Sequence, residues 1–378
     1  MKPIKVGFFS SQNYLDKNAF SGILYHMRKA LISRKDLQII DLGEPKNPSR
    51  IWNVLNRFRQ SNKPSSLGSP QYISETKKFT SKIHKQLRKT PCDVLFAPVA
   101  NRELPYLETT IPIISSSDAT FSLLKDFYQL ELEPQEVEWA SQQELIAISK
   151  ASKLAYPSQW AANSAISDYQ ADAEKIEIIP FGANLDEPPL ANEILSNKQK
   201  SPYRLLFVGR DWARKGGYIA FQTLLALCQR GIEAELVVVG TTPPPEIKHD
   251  KLTVIPYLNK NIPQQRNQLD ELFLNSNFFI FPTRADCYGI VICEANAFGL
   301  PVLTTEVGGI PTIVKQGENG YMFPLSASGE DYANLIVEIF SDRTRYEKLV
   351  QSSREEYDRR LNWNKWAESL HQVIANLK

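Results

Sequence analysis

Short apolar runs rich in β-branched residues recur along the whole chain and are separated by segments with helical periodicity. They include IKVGFF at residues 4–9, DVLFAP at 93–98, RLLFVG at 204–209 and FFIFP at 278–282. The runs hardly alternate apolar with polar residues, which is typical of strands buried on both faces of a parallel sheet flanked by helices. The pattern therefore predicts an α/β protein built from βαβ units.

The length of 378 residues favours two domains. One stretch, LDEPPLANEILSNKQKSP, breaks the alternation with two adjacent prolines and a polar run. We predict a doubly wound domain over residues 1–185, a linker over 186–201, a second doubly wound domain over 202–350 and a helical C-terminal segment over 351–378. Such sheets bind ligands at the carboxyl ends of their strands, so a cleft between the domains is the expected site.

Composition excludes several classes of protein. Lys and Arg total 44 and Asp and Glu total 42, which argues against a protein built around nucleic-acid phosphates. No apolar run reaches the length of a membrane span, and the first apolar run is too short for a signal peptide. The four cysteines show no CxxC spacing that would indicate a zinc site. A reducing cytoplasm fits this composition best.

Residues 49–90 are strongly basic, with ten Lys or Arg and a single acid, Glu75. Trp52, Phe58 and Phe79 are interleaved with these cations. One interpretation is a peripheral contact with the inner face of a membrane, or with another anionic partner. The other is two ordinary solvated helix faces joined by a flexible turn.

The segment FVGRDWARKGG, at residues 207–217, places two cations after a strand that ends at Gly209. Arg210 offers a planar fork suited to phosphate, and Lys215 offers a compact point charge. Together with the amides of a following helix N-terminus, they could neutralise a diphosphate. An ordinary solvated turn between strand and helix is the alternative interpretation.

Two acids stand out in the segment of residues 279–314. Asp286 lies just after a strand, and Glu294 lies within the apolar run IVICEANAF. A buried carboxylate is costly unless it is hydrogen-bonded or matched to a hydroxylated ligand. Glu294 is therefore a candidate ligand-binding residue, although it could instead cap a neighbouring loop.

These two segments together resemble the donor-site signature of the retaining glycosyltransferases of family 4, the glycosyl transferases group 1. In that family two acids follow the pattern E-x7-E, and Asp286 and Glu294 occupy the matching positions, with Asp replacing the first Glu. The family's phosphate-binding Arg and Lys, five residues apart, match Arg210 and Lys215. The resemblance is strongest over residues 200–325.

The resemblance implies the GT-B fold, an α/β architecture of two Rossmann-like doubly wound parallel-sheet domains that face each other across a cleft. The N-terminal domain would bind the acceptor, and the second domain would bind the nucleotide-sugar donor. The C-terminal helix would cross back to the N-terminal domain.

The resemblance also implies a retaining, metal-independent glycosyltransferase without a cofactor. It would move a hexose-type sugar from a UDP-, GDP- or ADP-linked donor to a glycan, a glycolipid or a small metabolite. Arg210 and Lys215 would neutralise the departing diphosphate, and Asp286 would hold hydroxyls of the transferred sugar. Glu294 would accept hydrogen bonds from the two ribose hydroxyls of the donor.

Further donor contacts are predicted on both domains. They are the amides around Gly289, Ile290 and Val291, the backbone at Gly22, the base-packing pair Tyr257 and Leu258, and the carboxylate of Asp118.

Two departures from the family keep other functions open. Many members carry His-Asp after a strand of the first domain, whereas this chain has Ser117 and Asp118. The first acid of the donor signature is Asp286 rather than Glu. A nucleotide-sugar-binding protein without transferase activity, or an epimerase or phosphorylase on the same fold, is therefore the alternative.

Overall fold

A computed structural model describes residues 2–43, 67–198 and 202–378 of the chain. Packing divides the chain into two compact units, one formed by Met1–Ile179 with Trp366–Lys378 and one formed by Pro180–Lys365. Of the basic stretch 49–90, the part before residue 67 lies outside the described residues.

The first unit contains, within its described residues, a six-stranded parallel sheet of order β2-β1-β3-β4-β5-β6. Its strands are β1 Ile4–Phe8, β2 Leu37–Asp41, β3 Val94–Pro98, β4 Ile113–Ser116, β5 Lys153–Tyr156 and β6 Ile176–Ile178. Its α-helices are α1 Ile23–Ile32, α2 Pro70–Lys89, α3 Phe121–Phe127, α4 Pro134–Lys150 and α5 Gln159–Tyr169, and short 3-10 turns span Ala19–Gly22, Leu104–Tyr106 and Ala173–Lys175. All five residues of β3 are buried, as expected for a central strand covered on both faces.

The second unit contains a six-stranded parallel sheet of order β12-β11-β10-β7-β8-β9 among its described residues. Its strands are β7 Tyr203–Val208, β8 Ala234–Val239, β9 Leu252–Ile255, β10 Phe278–Phe281, β11 Val302–Thr305 and β12 Gly320–Phe323. Its helices are α6 Ala191–Asn197, α7 Gly217–Gln229, α8 Pro263–Leu274, α9 Ile290–Ala297, α10 Ile310–Ile313, α11 Gly329–Ser341 and α12 Arg343–Arg359. The predicted architecture of two doubly wound parallel sheets is confirmed.

The chain ends in the first unit. Helix α13, Trp363–Leu377, follows α12, and its residues from Trp366 onward belong to the first unit. There the fully buried Trp366 packs against Phe96 of β3, with ring centroids 5.8 Å apart. The C-terminal helix therefore returns to the first unit, as predicted.

The segment 186–201, predicted as a linker, lies in the second unit and contains helix α6. The Leu190 amide donates to Glu193 at 3.2 Å and satisfies an otherwise unpaired group at the start of this helix. Ile194 is buried in the core of the unit. A polar run with adjacent prolines thus contains a short helix here. The helix is fixed to the sheet domain by Ile194 and by the buried Lys198, whose ammonium donates to the carbonyl of Phe273 at 2.8 Å.

Candidate functional site

The segments 207–217 and 279–314 meet at the carboxyl ends of β7 and β10, the two central strands of the second sheet. Strands β7 and β10 are neighbours, and the strand order reverses between them, so the loops that follow both strands leave from the same point. The Arg284 amide donates to the Arg214 carbonyl at 2.7 Å, and the Arg214 guanidinium donates to the Ala285 carbonyl at 2.8 Å. Ligands of doubly wound sheets bind at this kind of position.

Gly216 allows the closest approach of the two loops. Its φ is +81°, and a Cβ at this position would lie 1.9 Å from the carbonyl oxygen of Pro282. Only glycine tolerates both the left-handed backbone and this contact. Gly216 thus places the preceding residue, Lys215, against the loop that follows β10.

Lys215 and Asp286 form a mostly buried ion pair. The Lys215 ammonium donates to the Asp286 Oδ2, and the two side chains are 12% and 16% exposed. Burial lowers the pKa of Lys215 in spite of the nearby Asp286 carboxylate, which acts to raise it. Lys215, the residue predicted to bind phosphate, and Asp286, the residue predicted to bind sugar hydroxyls, are therefore direct neighbours.

Asp286 is also tied to the start of helix α9. Its Oδ1 accepts from the amides of Gly289 at 3.0 Å and of Tyr288 at 3.3 Å. Gly289 has a φ of +85° and precedes Ile290 and Val291, the first residues of the helix. The carboxylate is thus fixed in place by two backbone amides at the start of α9.

Glu294, one turn further along α9, is completely buried. Its Oε1 accepts from the ammonium of Lys260 at 2.6 Å. Its Oε2 is buried and has no hydrogen-bond partner among the described residues. An acceptor oxygen in this state is costly for the folded protein, and such atoms often mark the place where a ligand donates.

Arg210 lies on the outer side of the same cluster. Its guanidinium carbon is 5.7 Å from the ring centroid of Tyr257, which together with Leu258 follows strand β9. Arg210 is close enough to Lys260 to lower the pKa of that lysine. The second unit therefore gathers Arg210, Lys215, Asp286 and Glu294 into one charged region.

Two predicted site residues belong to the first unit. Gly22 has a φ of +89° and precedes helix α1, and Asp118 lies two residues after strand β4. Each follows the carboxyl end of a strand of its own sheet, where the prediction places a ligand. Their contacts with a donor stay predictions.

Sequence reasoning missed Lys260. This lysine lies in the polar loop LNKN after β9, where no spacing or apolar run distinguishes it from other surface lysines. Its contact with Glu294 spans 34 residues of sequence and depends on the sheet.

Among the described residues there is no group of three or more His, Cys, Asp or Glu side chains that could hold a metal ion. None of the described helices is both long and apolar enough to cross a membrane.

Comparison with known proteins points to one family. The family described as glycosyl transferases group 1 matches residues 192–356. The D-inositol 3-phosphate glycosyltransferase of Xylanimonas cellulosilytica is 26% identical over 261 residues, which is 62% of this chain and 58% of the relative. Spore coat protein SA of Bacillus subtilis is 29% identical over 185 residues, 45% of this chain and 48% of the relative. The chain thus spans about half the length of these relatives.

Solved structures share the fold over the whole chain. Sucrose-phosphate synthase from Thermosynechococcus elongatus aligns with a TM-score of 0.71 at 16% identity, covering 100% of this chain and 99% of that one. HepE from Anabaena, solved in complex with UDP-glucose, aligns with a TM-score of 0.64 at 16% identity, covering 99% and 100%. The predicted GT-B fold is confirmed.

Proposed function

We propose that this chain, whose residues 192–356 belong to the glycosyl transferases group 1 family as predicted, is a glycosyltransferase. It would transfer a hexose-type sugar from a nucleoside diphosphate sugar to an acceptor and retain the anomeric configuration. The observation that carries the proposal is the pairing of Lys215 with Asp286 beside the fully buried Glu294. These residues match the family's donor-site motif by resemblance, and the loops that carry Lys215 and Asp286 follow the two strands between which the strand order reverses.

Cations at the site suit a diphosphate leaving group. Glycosyl transfer builds negative charge on the departing diphosphate, and fixed positive charges close to it lower the barrier. Lys215 is held by Asp286 and by its backbone position after β7, so little reorganisation is needed when a phosphate arrives. Arg210 and the first amides of α9 add further donors. We propose that these groups stabilise the leaving group without a metal ion.

The two acids at the site suit the two sugars of the donor, which are the transferred sugar and the ribose. Asp286 would accept from hydroxyls of the transferred sugar, and the unpaired Oε2 of Glu294 would accept from a ribose hydroxyl. A hydroxyl donor would satisfy a buried acceptor that the described protein residues leave unsatisfied. We propose a same-face departure and attack, since retention is the outcome that the family resemblance implies.

The nucleotide is proposed only by class. HepE from Anabaena binds UDP and UDP-glucose, which makes the UDP series the first to test. Tyr257 and Leu258 would pack near the base. The acceptor is a glycan, a glycolipid or a small metabolite.

Thermal denaturation with nucleotide sugars tests the proposal. A ligand that binds only the native state raises the melting temperature. UDP-, GDP- and ADP-sugars are added with and without magnesium, and we expect one series to raise the melting temperature equally in both conditions. No rise with any series would contradict the proposed donor class. A rise without release of nucleoside diphosphate in the presence of glycan, glycolipid or small-sugar acceptors would contradict transfer.

A further inference from the structure

Lys260 contacts the acid to which the proposed function assigns the donor ribose. Its Nζ lies 2.6 Å from the Oε1 of Glu294, and its own side chain is 22% exposed. The other oxygen of Glu294 is buried and has no hydrogen-bond partner among the described residues. The only charged group in hydrogen-bond contact with this carboxylate in the described chain is therefore the Lys260 ammonium.

Access to Glu294 depends on Lys260. The side chain of Glu294 has no exposed surface, and one of its two oxygens is occupied by the ammonium. A carboxylate has about four acceptor sites, and a free Oε2 can take a first ribose hydroxyl while the ammonium occupies Oε1. The second ribose hydroxyl competes with the Lys260 ammonium when it binds through Oε1.

Besides Glu294, the charged groups that act on Lys260 are the guanidinium groups of Arg266 and Arg210 and the carboxylate of Asp270. Burial lowers the pKa of its ammonium, Arg266 and Arg210 lower it further, and Glu294 is the group that raises it. Arg266 is itself matched by Asp270, to which its guanidinium donates. If the ammonium left Glu294 and found no other anion, it would be a mostly buried cation beside two guanidinium groups, which is strongly unfavourable.

We propose that Lys260 is a donor-binding residue that exchanges its ion pair with Glu294 for one with the diphosphate of the bound nucleotide. The proposal rests on the proposed function, because it concerns the same site. The incoming ligand carries both partners that the exchange requires: hydroxyls replace the ammonium on Glu294, and phosphate oxygens replace Glu294 on the ammonium.

The exchange links recognition of the ribose to recognition of the diphosphate. A nucleoside without phosphates competes with the ammonium for Oε1 of Glu294 and offers the ammonium no new anion. A nucleoside diphosphate breaks the same pair and replaces it. Lys260 therefore increases the preference of the site for the diphosphate over the nucleoside.

Calorimetric titration of the full chain tests this preference. The probes are uridine with UDP, guanosine with GDP and adenosine with ADP, and the pair whose diphosphate binds the wild type is carried forward. In Lys260→Met we expect the affinity for the diphosphate to fall about tenfold or more, as expected for loss of a charge-assisted contact. The affinity for the nucleoside should stay unchanged or rise, since its competitor on Glu294 is gone. Lys260→Arg keeps the charge and should retain most of the preference.

Lys251→Met is the matched control, because Lys251 is an exposed lysine at the start of β9. It should change neither affinity. Equal losses for nucleoside and diphosphate in Lys260→Met would overturn the proposal, because a residue that only orients Glu294 affects both ligands alike. Unchanged affinities would overturn it as well. If no diphosphate binds the wild type, the proposed function fails and the inference fails with it.

A crystal structure of the wild-type chain with the same diphosphate gives a second measurement that needs no variant to fold. We expect the Lys260 Nζ within hydrogen-bond distance of a phosphate oxygen and a ribose hydroxyl on Glu294. An ammonium that stays on Glu294 with the nucleotide bound would overturn the exchange while leaving the proposed function intact.

Discussion

The ammonium of Lys215 donates a hydrogen bond to the carboxylate of Asp286, 71 residues further along the chain. Both side chains are mostly buried, and Asp286 also accepts from two amides at the start of α9. The pair holds a cation and an anion in fixed positions at the carboxyl ends of the central strands β7 and β10. Under the proposed function, a diphosphate and a sugar hydroxyl would be the partners of these two groups.

Replacement of Lys215 by alanine should reduce turnover severely. Loss of one preorganised charge contact costs about 2–4 kcal/mol of transition-state stabilisation. Steady-state kcat/KM with the donor identified by thermal denaturation measures the effect, and Lys248→Ala, at an exposed lysine of the same unit, is the control. Turnover close to that of the wild type would remove Lys215 from the proposed site.

Glu294→Gln should weaken donor binding. A neutral amide oxygen is a poorer acceptor for ribose hydroxyls than a carboxylate, and the change also breaks the ion pair with Lys260. We expect a higher donor KM with a smaller change in kcat, whereas Glu271→Gln, at an exposed position of α8, should change neither. An unchanged donor KM would assign Glu294 a purely structural role.

Gly216→Ala should destabilise the fold more than a chemically identical change at Gly231. Both glycines have positive φ, but a Cβ at Gly231 meets nothing within 4 Å, whereas at Gly216 it collides with the Pro282 carbonyl. The left-handed backbone alone costs about 1 kcal/mol for alanine, and the collision should raise the total to at least about 3 kcal/mol. Urea unfolding of the two variants measures the difference, and equal losses would contradict the close approach.

Glu144 should make the stability of the protein depend on pH. Burial raises the pKa of this carboxyl from 4.5 to about 7, an effect that a hydrogen bond from Asn101 only partly offsets. The folded state therefore binds more protons than the unfolded state between about pH 4.5 and 7, so stability falls as the pH rises through this window. The full penalty is present above about pH 7.

Glu144→Gln removes this titration. At pH 8 the variant should gain up to about 3 kcal/mol in free energy of unfolding over the wild type, and the gain should disappear near pH 4.5. Glu138→Gln, at an exposed position of the same helix, is the control. Urea unfolding at both pH values measures the difference, and a gain of equal size at both would contradict the assignment to Glu144.

The exposed face of helix α2 should bind anionic membranes. Its exposed cations are Lys77, Lys78, Lys82, Lys85, Arg88 and Lys89, and its opposite face is buried through Tyr72, Phe79 and Ile83. We expect sedimentation with vesicles containing anionic lipid, weakened by salt and lost when the six cations are replaced by Gln. Neutral vesicles are the control. Sedimentation that is absent with anionic vesicles at low salt would leave these residues as an ordinary solvated face.

Much of the fold follows from local sequence pattern. The β-branched runs predict strands buried on both faces, and all four residues of FFIF in β10 are buried. The segment 186–201 shows the limit of this reasoning, since its composition indicates a linker while Ile194 packs in the core and α6 forms around it. Two buried side chains, Ile194 and Lys198, anchor this segment, and composition averages over such individual residues.

The sequence singled out Arg210, Lys215, Asp286 and Glu294 by their positions after strands or within an apolar run, and by the match of their spacing to a family motif. The partners of these residues were decided by tertiary structure. Lys215 meets Asp286 because β7 and β10 are neighbours in the sheet although two strands separate them in sequence. Lys260, in the loop after β9, meets Glu294 of α9, a contact across 34 residues that local sequence does not encode. Periodicity encodes the burial of each strand but not the order in which strands pair. The sequence alone therefore determined the candidate site residues, and only the folded sheet determined which of them are in contact.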